Sequence, residues 1–495
     1  MINLNNAALP TLAAELPVPT YDRMRQRAGI VHVGVSHFHR AHQAMYVDKL
    51  MRAGLADDWA ICGVGVRAGG SPSRAALAAQ DNLYTLTVKA PDGAKHDTVI
   101  GALHDYLYAP DNPRRVVDKL ADPDTRIVSL TISEGGYDTN DVTGEFLGAS
   151  PEVRADLRAV APNRSVFGLL FQAAELRRKN AAGGLTILSC DNNLGNGAVA
   201  RAAFLGFAEA REPGLAAWMA REFTFPNSMV DRLTPQTVPA DIEHLEQAHG
   251  YHDGAPVTCE PFTQWVIEDD FAAGRPPWQE AGVELVADVK PFETAKLRLA
   301  NGAHQTLGYF GYLLGYHHVH EALGDPDIRA LVFRYHDEEA LPTLRPIPGT
   351  DLRDYGRSIV ARYSSPGVKD PLPRICAYTT DRIPKFLLPV ARERLAAGGR
   401  APICAAVLAS WARWAQGVDE HGQPIEVIDP LREEIMAAAR ASRTAPESFL
   451  ADRKVFGDLG ESAEFVADFA DALTAIQADG ARSALRQLMA RSPDQ

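Results

Sequence analysis

Residues 291–316, PFETAKLRLANGAHQTLGYFGYLLGY, read as a helix that is apolar on nearly every side yet carries Lys296, Asn301 and His304. With about 100° of turn per residue, these three side chains fall within an arc of about 140° and can converge on one point. Burial disfavours the ammonium form of a lysine, which is how an amine that rests near 10.4 in water becomes a base close to neutral pH. Gly302 adds a second constraint. Glycine inside a helix costs about 1 kcal/mol against alanine and usually marks a close approach to the backbone. On spacing alone a snorkelling lysine beside satisfied core polar groups is equally open, and the remaining segments decide between the two.

The chain has 495 residues, enough for two or three domains. Its formal charge of −13, from 50 basic and 63 acidic residues, argues against a nucleic-acid or anionic-membrane partner. The N-terminus has neither a basic region nor a continuous apolar core, and no run of 18 apolar residues occurs, so neither a secretory signal nor a membrane span is expected. Five widely separated cysteines, at 62, 190, 259, 376 and 404, show no zinc spacing and read as reduced, structural and cytoplasmic. His39 with His42, and His317, His318 and His320, lack a carboxylate or cysteine partner at a recognised spacing, so no metal site is expected. Any alcohol chemistry must then find its base among side chains.

From residue 30 to about 285, short β-branched runs alternate with helical patterns. Ile30–Val35, Trp59–Val66, Asn82–Val88, Arg126–Ile132 and Leu185–Cys190 read as strands, separated by helices near 41–53, 112–121, 166–180 and 197–210. The alternation predicts an α/β fold, a Rossmann-like doubly wound domain over residues 1–285. Beyond it, helices near 290–316, 326–339, 351–362, 384–397, 401–416, 429–441 and 463–490 predict a mainly α-helical domain over 286–495.

The first strand-to-helix turn, Gly34-Val35-Ser36-His37-Phe38-His39, keeps only the first glycine of a G-x-G-x-x-G fingerprint but sits where helix amides can hold a pyrophosphate. After the second strand, Arg67 to Arg74 contains no carboxylate for a ribose 2′-hydroxyl, which leaves NADP open beside NAD; an ordinary turn and a solvated loop are the competing readings. Glu134, Asn192, Asn227, Asp231 and Arg232 lie where other strands of an α/β domain end, and each alone is equally a cap or turn residue.

Together the segments IVHVGVSHFHRAHQAMYVD, WAICGVGV, RIVSLTISEGGY, LSCDNNLGNG, FPNSMVDRLTP, CEPFTQWVIEDDF, GRPPW and KLRLANGAHQTLGYFGYL resemble the mannitol dehydrogenase family of polyol-specific long-chain dehydrogenases and reductases, from about residue 28 to the final helix. The resemblance implies zinc-independent, nicotinamide-dependent oxidation of a polyol, such as D-mannitol, to a ketose, such as D-fructose, by a monomer or weak dimer. It places the general base on Lys296, oxyanion donors on Asn192 and Asn301, an orienting histidine on His304, proton passage on Glu134 and Glu293, and substrate contacts on Asp231, Arg374 and Arg382. The cofactor would lie along Gly34, Val35, Ser36, His37 and Phe38, with Arg67, Gly69 and Gly70 near its ribose. Two departures stand out. Gly69 and Gly70 replace the acidic pair that favours NAD, and Arg382 replaces an expected lysine, which a planar guanidinium does not mimic. Oxidation of arabinitol or sorbitol, or reduction of a sugar acid whose carboxylate pairs with Arg374 and Arg382, are the alternatives within the family. A non-catalytic dinucleotide sensor is disfavoured by the intact Lys296, Asn301 and His304 set.

Overall fold

Aliphatic runs without a polar face must be covered on both sides. Four of them join a parallel sheet in the computed structural model, which describes residues 2–69, 73–140, 144–158, 163–367 and 369–491, the Glu134 side chain excepted. They are β1 (Ile30–Val33), β2 (Ile61–Gly65), β4 (Ile127–Leu130) and β5 (Thr186–Ser189), and β3 (Leu103–Tyr108) closes one edge. The order is β3-β2-β1-β4-β5, all parallel, with Ile30 opposite both Ile61 and Ile127. Val31, Val33, Cys62, Val64, Val128 and Leu130 pack under helices Pro113–Ala121, Val166–Asn180 and Asn196–Arg211. Ile30, Ile61, Leu103 and Ile127 pack on the opposite face under Gln43–Arg52. The Rossmann-type arrangement is therefore present, and strand order reverses between β1 and β4, where such sheets bind ligands at their carboxyl ends.

Two expectations are corrected. Asn82–Val88 does not join this sheet: Tyr84–Lys89 lies in a separate three-stranded sheet, antiparallel to Lys95–Ile100 and parallel to Val257–Cys259. The first helix begins earlier than residue 41, at His37, and is broken at His42 before resuming as Gln43–Arg52.

The chain divides into two units, Met1–Ala90 with Ala94–Lys290, and Pro91–Gly93 with Pro291–Gln495. The second is built from helices. Pro402–Trp414 is buried from Ile403 to Ala412 and at Trp414, and packs against Gly302–Leu313 and Ala463–Ala490, with Tyr309 edge-on to Trp414 at 5.7 Å between ring centres. No helix among the described residues is long and apolar enough to cross a membrane. The five cysteines are buried and unpaired.

Of the histidines weighed above as ligands, His39 and His42 are buried core groups, while His317 is exposed and His318 and His320 are part-buried. His39 lies flat on His32 of β1, ring centres 3.5 Å apart, while His42 Nε2 bonds the Gln264 carbonyl at 2.9 Å. Because the Thr131 hydroxyl donates to Gly34 O, it accepts from His32 Nε2, and His32 Nδ1 accepts from the Ser129 hydroxyl. Desolvation pushes His32 and His42 down to about 3 and His39 well below its ordinary value, and in the second unit it pushes His336 to about 4. These folded values lie below the unfolded value of 6.5. Their contribution to stability is thus complete above about pH 6.5 and is lost as pH falls toward 3, by up to about 1.4 kcal/mol per pH unit for each ring. The melting temperature is expected to fall steadily on acidification from neutral pH, and His39→Phe, which keeps the stacked shape, is expected to flatten that slope. Calorimetry across pH 4–7.5 checks this; an identical slope in the variant would contradict the neutral, buried ring.

Candidate active site

The Lys296 helix is not a continuous α-helix. Lys290–Ala295 is α-helical, Lys296–Asn301 forms a π turn, and Gly302–Leu313 is α-helical again. In the π turn the Gly302 N–H reaches Leu297 O, five residues back. A turn that closes on the fifth residue brings side chains five apart nearer to one line, where α geometry would leave Lys296 and Asn301 about 140° apart. The expected convergence is therefore tighter than a regular helix allows. Lys296 is 7% exposed and Glu293, three residues before it, 6%. The Asn301 Oδ1 is buried with no hydrogen-bond partner among the described residues, so this oxygen retains capacity to accept a hydrogen bond from a ligand hydroxyl.

His304 stacks on Tyr363, ring centres 4.0 Å apart and planes 4° from parallel. Its Nε2 lies 3.9 Å from Asp370 Oδ2. Asp370 in turn takes the Arg374 guanidinium on both oxygens, through Nε at 2.7 Å to Oδ1 and through Nη2 to Oδ2. Arg382 Nη1 donates to the carbonyls of Arg374 and Ile375 at 2.7 and 3.2 Å. Histidine, carboxylate and both arginines thus form one connected set within the second unit. Tyr363 and Asp370 were not anticipated, since an aromatic in a helix and an Asp before a Pro-rich segment carry no distinctive spacing.

In the first unit, Gly34 ends β1 with φ +95°, and a Cβ there would sit 2.1 Å from the Thr131 carbonyl oxygen. Only glycine lets β1 and β4 approach so closely at the reversal point. Val35 is buried, and Ser36 caps the helix that carries His37 and Phe38, accepting from His39 N at 3.1 Å. Helix-start amides have no intrahelical partner and suit a phosphate; glycine-tight packing beside them fits a dinucleotide. After β2, Arg67 and Gly69 are exposed, Arg67 reaches Ser133 Oγ at 3.4 Å, and Arg74 lies over the Tyr108 ring while bonding Asp111. Gly70 lies outside the described residues. Past β4, the Asp191 carboxylate accepts the amides of Ile132 and Ser133, each at 3.0 Å. That grip holds Ser133 at φ +69° just before Glu134 and fixes Asp191 next to Asn192. Asp231 is buried at the end of strand Ser228–Asp231. Asn227 is a cap for Gly197 and Ala198, and Arg232 bonds carbonyls of Ala41 and Glu260, so both are structural. Among the described residues no group of three metal-ligating side chains occurs.

The family model of the mannitol dehydrogenase Rossmann domain matches residues 28–280, and that of the mannitol dehydrogenase C-terminal domain matches 288–477. The chain belongs to the mannitol dehydrogenase family. It is 43% identical to a mannitol 2-dehydrogenase of Aspergillus fumigatus over 491 residues, 97% of each chain. It is 43% identical to that of Phaeosphaeria nodorum, covering 98% of this chain and 85% of the other. Among solved structures, a Pseudomonas fluorescens mannitol 2-dehydrogenase in ternary complex with NAD and D-mannitol matches with a TM-score of 0.90 and 40% identity over 99% of this chain and 100% of the other. A substrate-free D-sorbitol dehydrogenase matches at 0.89 and 36%, over 98% and 100%.

Asp370 is the anion that fixes the Arg374 fork beside His304. In this family member Asp370→Asn keeps the shape and removes the charge, and kcat/KM for the alcohol is expected to drop at least about tenfold with cofactor affinity unchanged. Steady-state kinetics together with a fluorescence titration of the reduced cofactor check the split.

Proposed function

We propose that this chain is a zinc-independent polyol dehydrogenase that reversibly oxidises a secondary hydroxyl of D-mannitol, or a closely related alditol, to the ketose. The observation that carries the reading is the buried Lys296 amine on a π turn that also carries Asn301, in a chain similar over its full length to an enzyme solved with NAD and D-mannitol. The first unit binds the dinucleotide along Gly34, Val35, Ser36, His37 and Phe38. When bound, the nicotinamide accepts the hydride. Lys296 Nζ takes the hydroxyl proton, so the C–H bond can release its electron pair as the carbonyl forms. The amides of Asn192 and Asn301 donate to the oxygen on which charge develops. His304, held flat by Tyr363, orients the hydroxyl and the amine. Glu293 and Glu134 lead the proton to solvent, and Asp231, Arg374 and Arg382 hold the remaining substrate hydroxyls.

A polyol is favoured over a sugar acid because both arms of the Arg374 fork already grip Asp370, and Arg382 is engaged by carbonyls. The Nε–Nη2 edge of Arg374, the face that would chelate a substrate carboxylate, is thereby already occupied. For the cofactor we assign NAD with NADP also accepted, since no carboxylate in Val66–Gly69 repels a 2′-phosphate and Arg67 is exposed there. The oligomeric state we assign is a monomer or weak dimer.

Absorbance at 340 nm with NAD or NADP against mannitol, arabinitol, sorbitol and mannonate tests the assignment; turnover confined to mannonate would overturn it. Lys296→Ala is expected to lower kcat at least about 10²-fold while cofactor affinity holds, and to abolish the rise of oxidation rate with pH that a general base produces. Arg67→Ala is expected to reduce kcat/KM for NADP about tenfold more than for NAD, as loss of one charged phosphate contact predicts.

A further inference from the structure

A π turn is uncommon and persists only where something outside the helix sustains it. Here three successive carbonyls of the turn each receive a side-chain donor from distant sequence. Tyr335 Oη donates to Arg298 O at 2.9 Å, His336 Nε2 to Leu299 O at 2.8 Å, and Tyr363 Oη to Ala300 O at 3.2 Å. Because its partner is a carbonyl, His336 must carry a proton on Nε2. Tyr335 and His336 open a second π turn, Tyr335–Ala340, which packs against the first. A Cβ on Gly302 would stand 2.3 Å from the Tyr335 hydroxyl oxygen, so glycine is what lets that hydroxyl in. Arg298 is clamped as well, by a bidentate pair with Glu393 at 2.7 and 2.6 Å and by Thr343 O.

We propose that Tyr335 and His336 are positioning residues for the reaction: by capping the Arg298 and Leu299 carbonyls they hold the π turn that aligns Lys296 with Asn301. The proposal rests on the assignment of Lys296 and Asn301 to the chemistry. An α-helical turn satisfies its own carbonyls through i+4 amides, so removing the caps tilts the segment toward α geometry and rotates Asn301 away from Lys296. Displacement of this size costs turnover rather than binding.

The test uses the full-length chain with Tyr335→Phe, His336→Leu, His336→Gln and Lys296→Ala. Measurements are kcat and KM for the oxidised alcohol, NADH affinity by fluorescence, and melting temperature. Tyr335→Phe and His336→Leu are expected to lower kcat by roughly 10–100-fold with NADH affinity within about twofold of wild type. His336→Gln, whose amide N–H can reach the same carbonyl, is expected to recover most of the loss; a merely space-filling role would be served as well by leucine. Folded Tyr335→Phe and His336→Leu enzymes with kcat within about twofold of wild type, or equal losses in His336→Leu and His336→Gln, overturn the proposal and leave the lysine assignment standing if Lys296→Ala is inactive. Turnover retained in Lys296→Ala removes the lysine assignment and the proposal together. Should Tyr335→Phe not fold, the Leu and Gln pair at 336 decides.

Discussion

Taking an amine out of water is the constraint around which the second unit is organised. A charged ammonium in an apolar interior carries a solvation penalty of several kcal/mol even after relaxation, and Lys296 sits with its neighbours Leu297, Leu299 and Ala300 all buried. Three polar groups on an otherwise apolar helix would normally widen the stripe that must avoid the core. The π turn narrows that stripe by bringing residues five apart toward one line, so the rest of the surface stays free to pack against Pro402–Trp414 and its neighbours. The same dry surroundings strengthen any hydrogen bond an amide there makes to a charge-bearing oxygen.

Much of the fold was legible because burial on both faces leaves a compositional trace. The runs around Ile30, Ile61, Ile127 and Thr186 have no polar side, and all four became strands of the parallel sheet. Leu103–Tyr108 escaped notice because, as the sheet edge, it carries His104 and Asp105 and is only partly buried. Asn82–Val88 was assigned to the wrong sheet for the converse reason. Its Tyr, Leu and Val look like those of a core strand, and nothing local records that its partners lie near residues 97 and 258.

The candidate site was legible to the level of spacing and no further. K-x4-N-x2-H on an apolar helix announces a cluster, and Gly302 announces a close approach, but neither names what approaches. The approaching group is the hydroxyl of Tyr335, 33 residues on, and the groups that pin His304 and Arg374 come from Tyr363 and Asp370. Helical periodicity assumes i+4 bonding throughout. A switch to i+5 depends on donors brought in by tertiary packing, which no window of local sequence contains.

The eroded glycine fingerprint has a physical reading of its own. In G-x-G-x-x-G the second glycine lets the backbone near the pyrophosphate and the third lets the helix press on the strand. Here Ser36 occupies the second position and caps the helix with its own hydroxyl. His39 occupies the third, where a side chain should prevent close packing. The space it needs is supplied by standing the helix on two flat rings, His39 over His32, 3.5 Å apart. The two imidazoles cannot both be charged at that distance, because like charges so near each other in a desolvated core repel strongly. The first glycine cannot be replaced in this way: a Cβ at Gly34 meets the Thr131 backbone carbonyl, not a movable side chain. One glycine of the three survives because it alone answers to backbone, while the other two positions answer to packing that a different pair of side chains can supply.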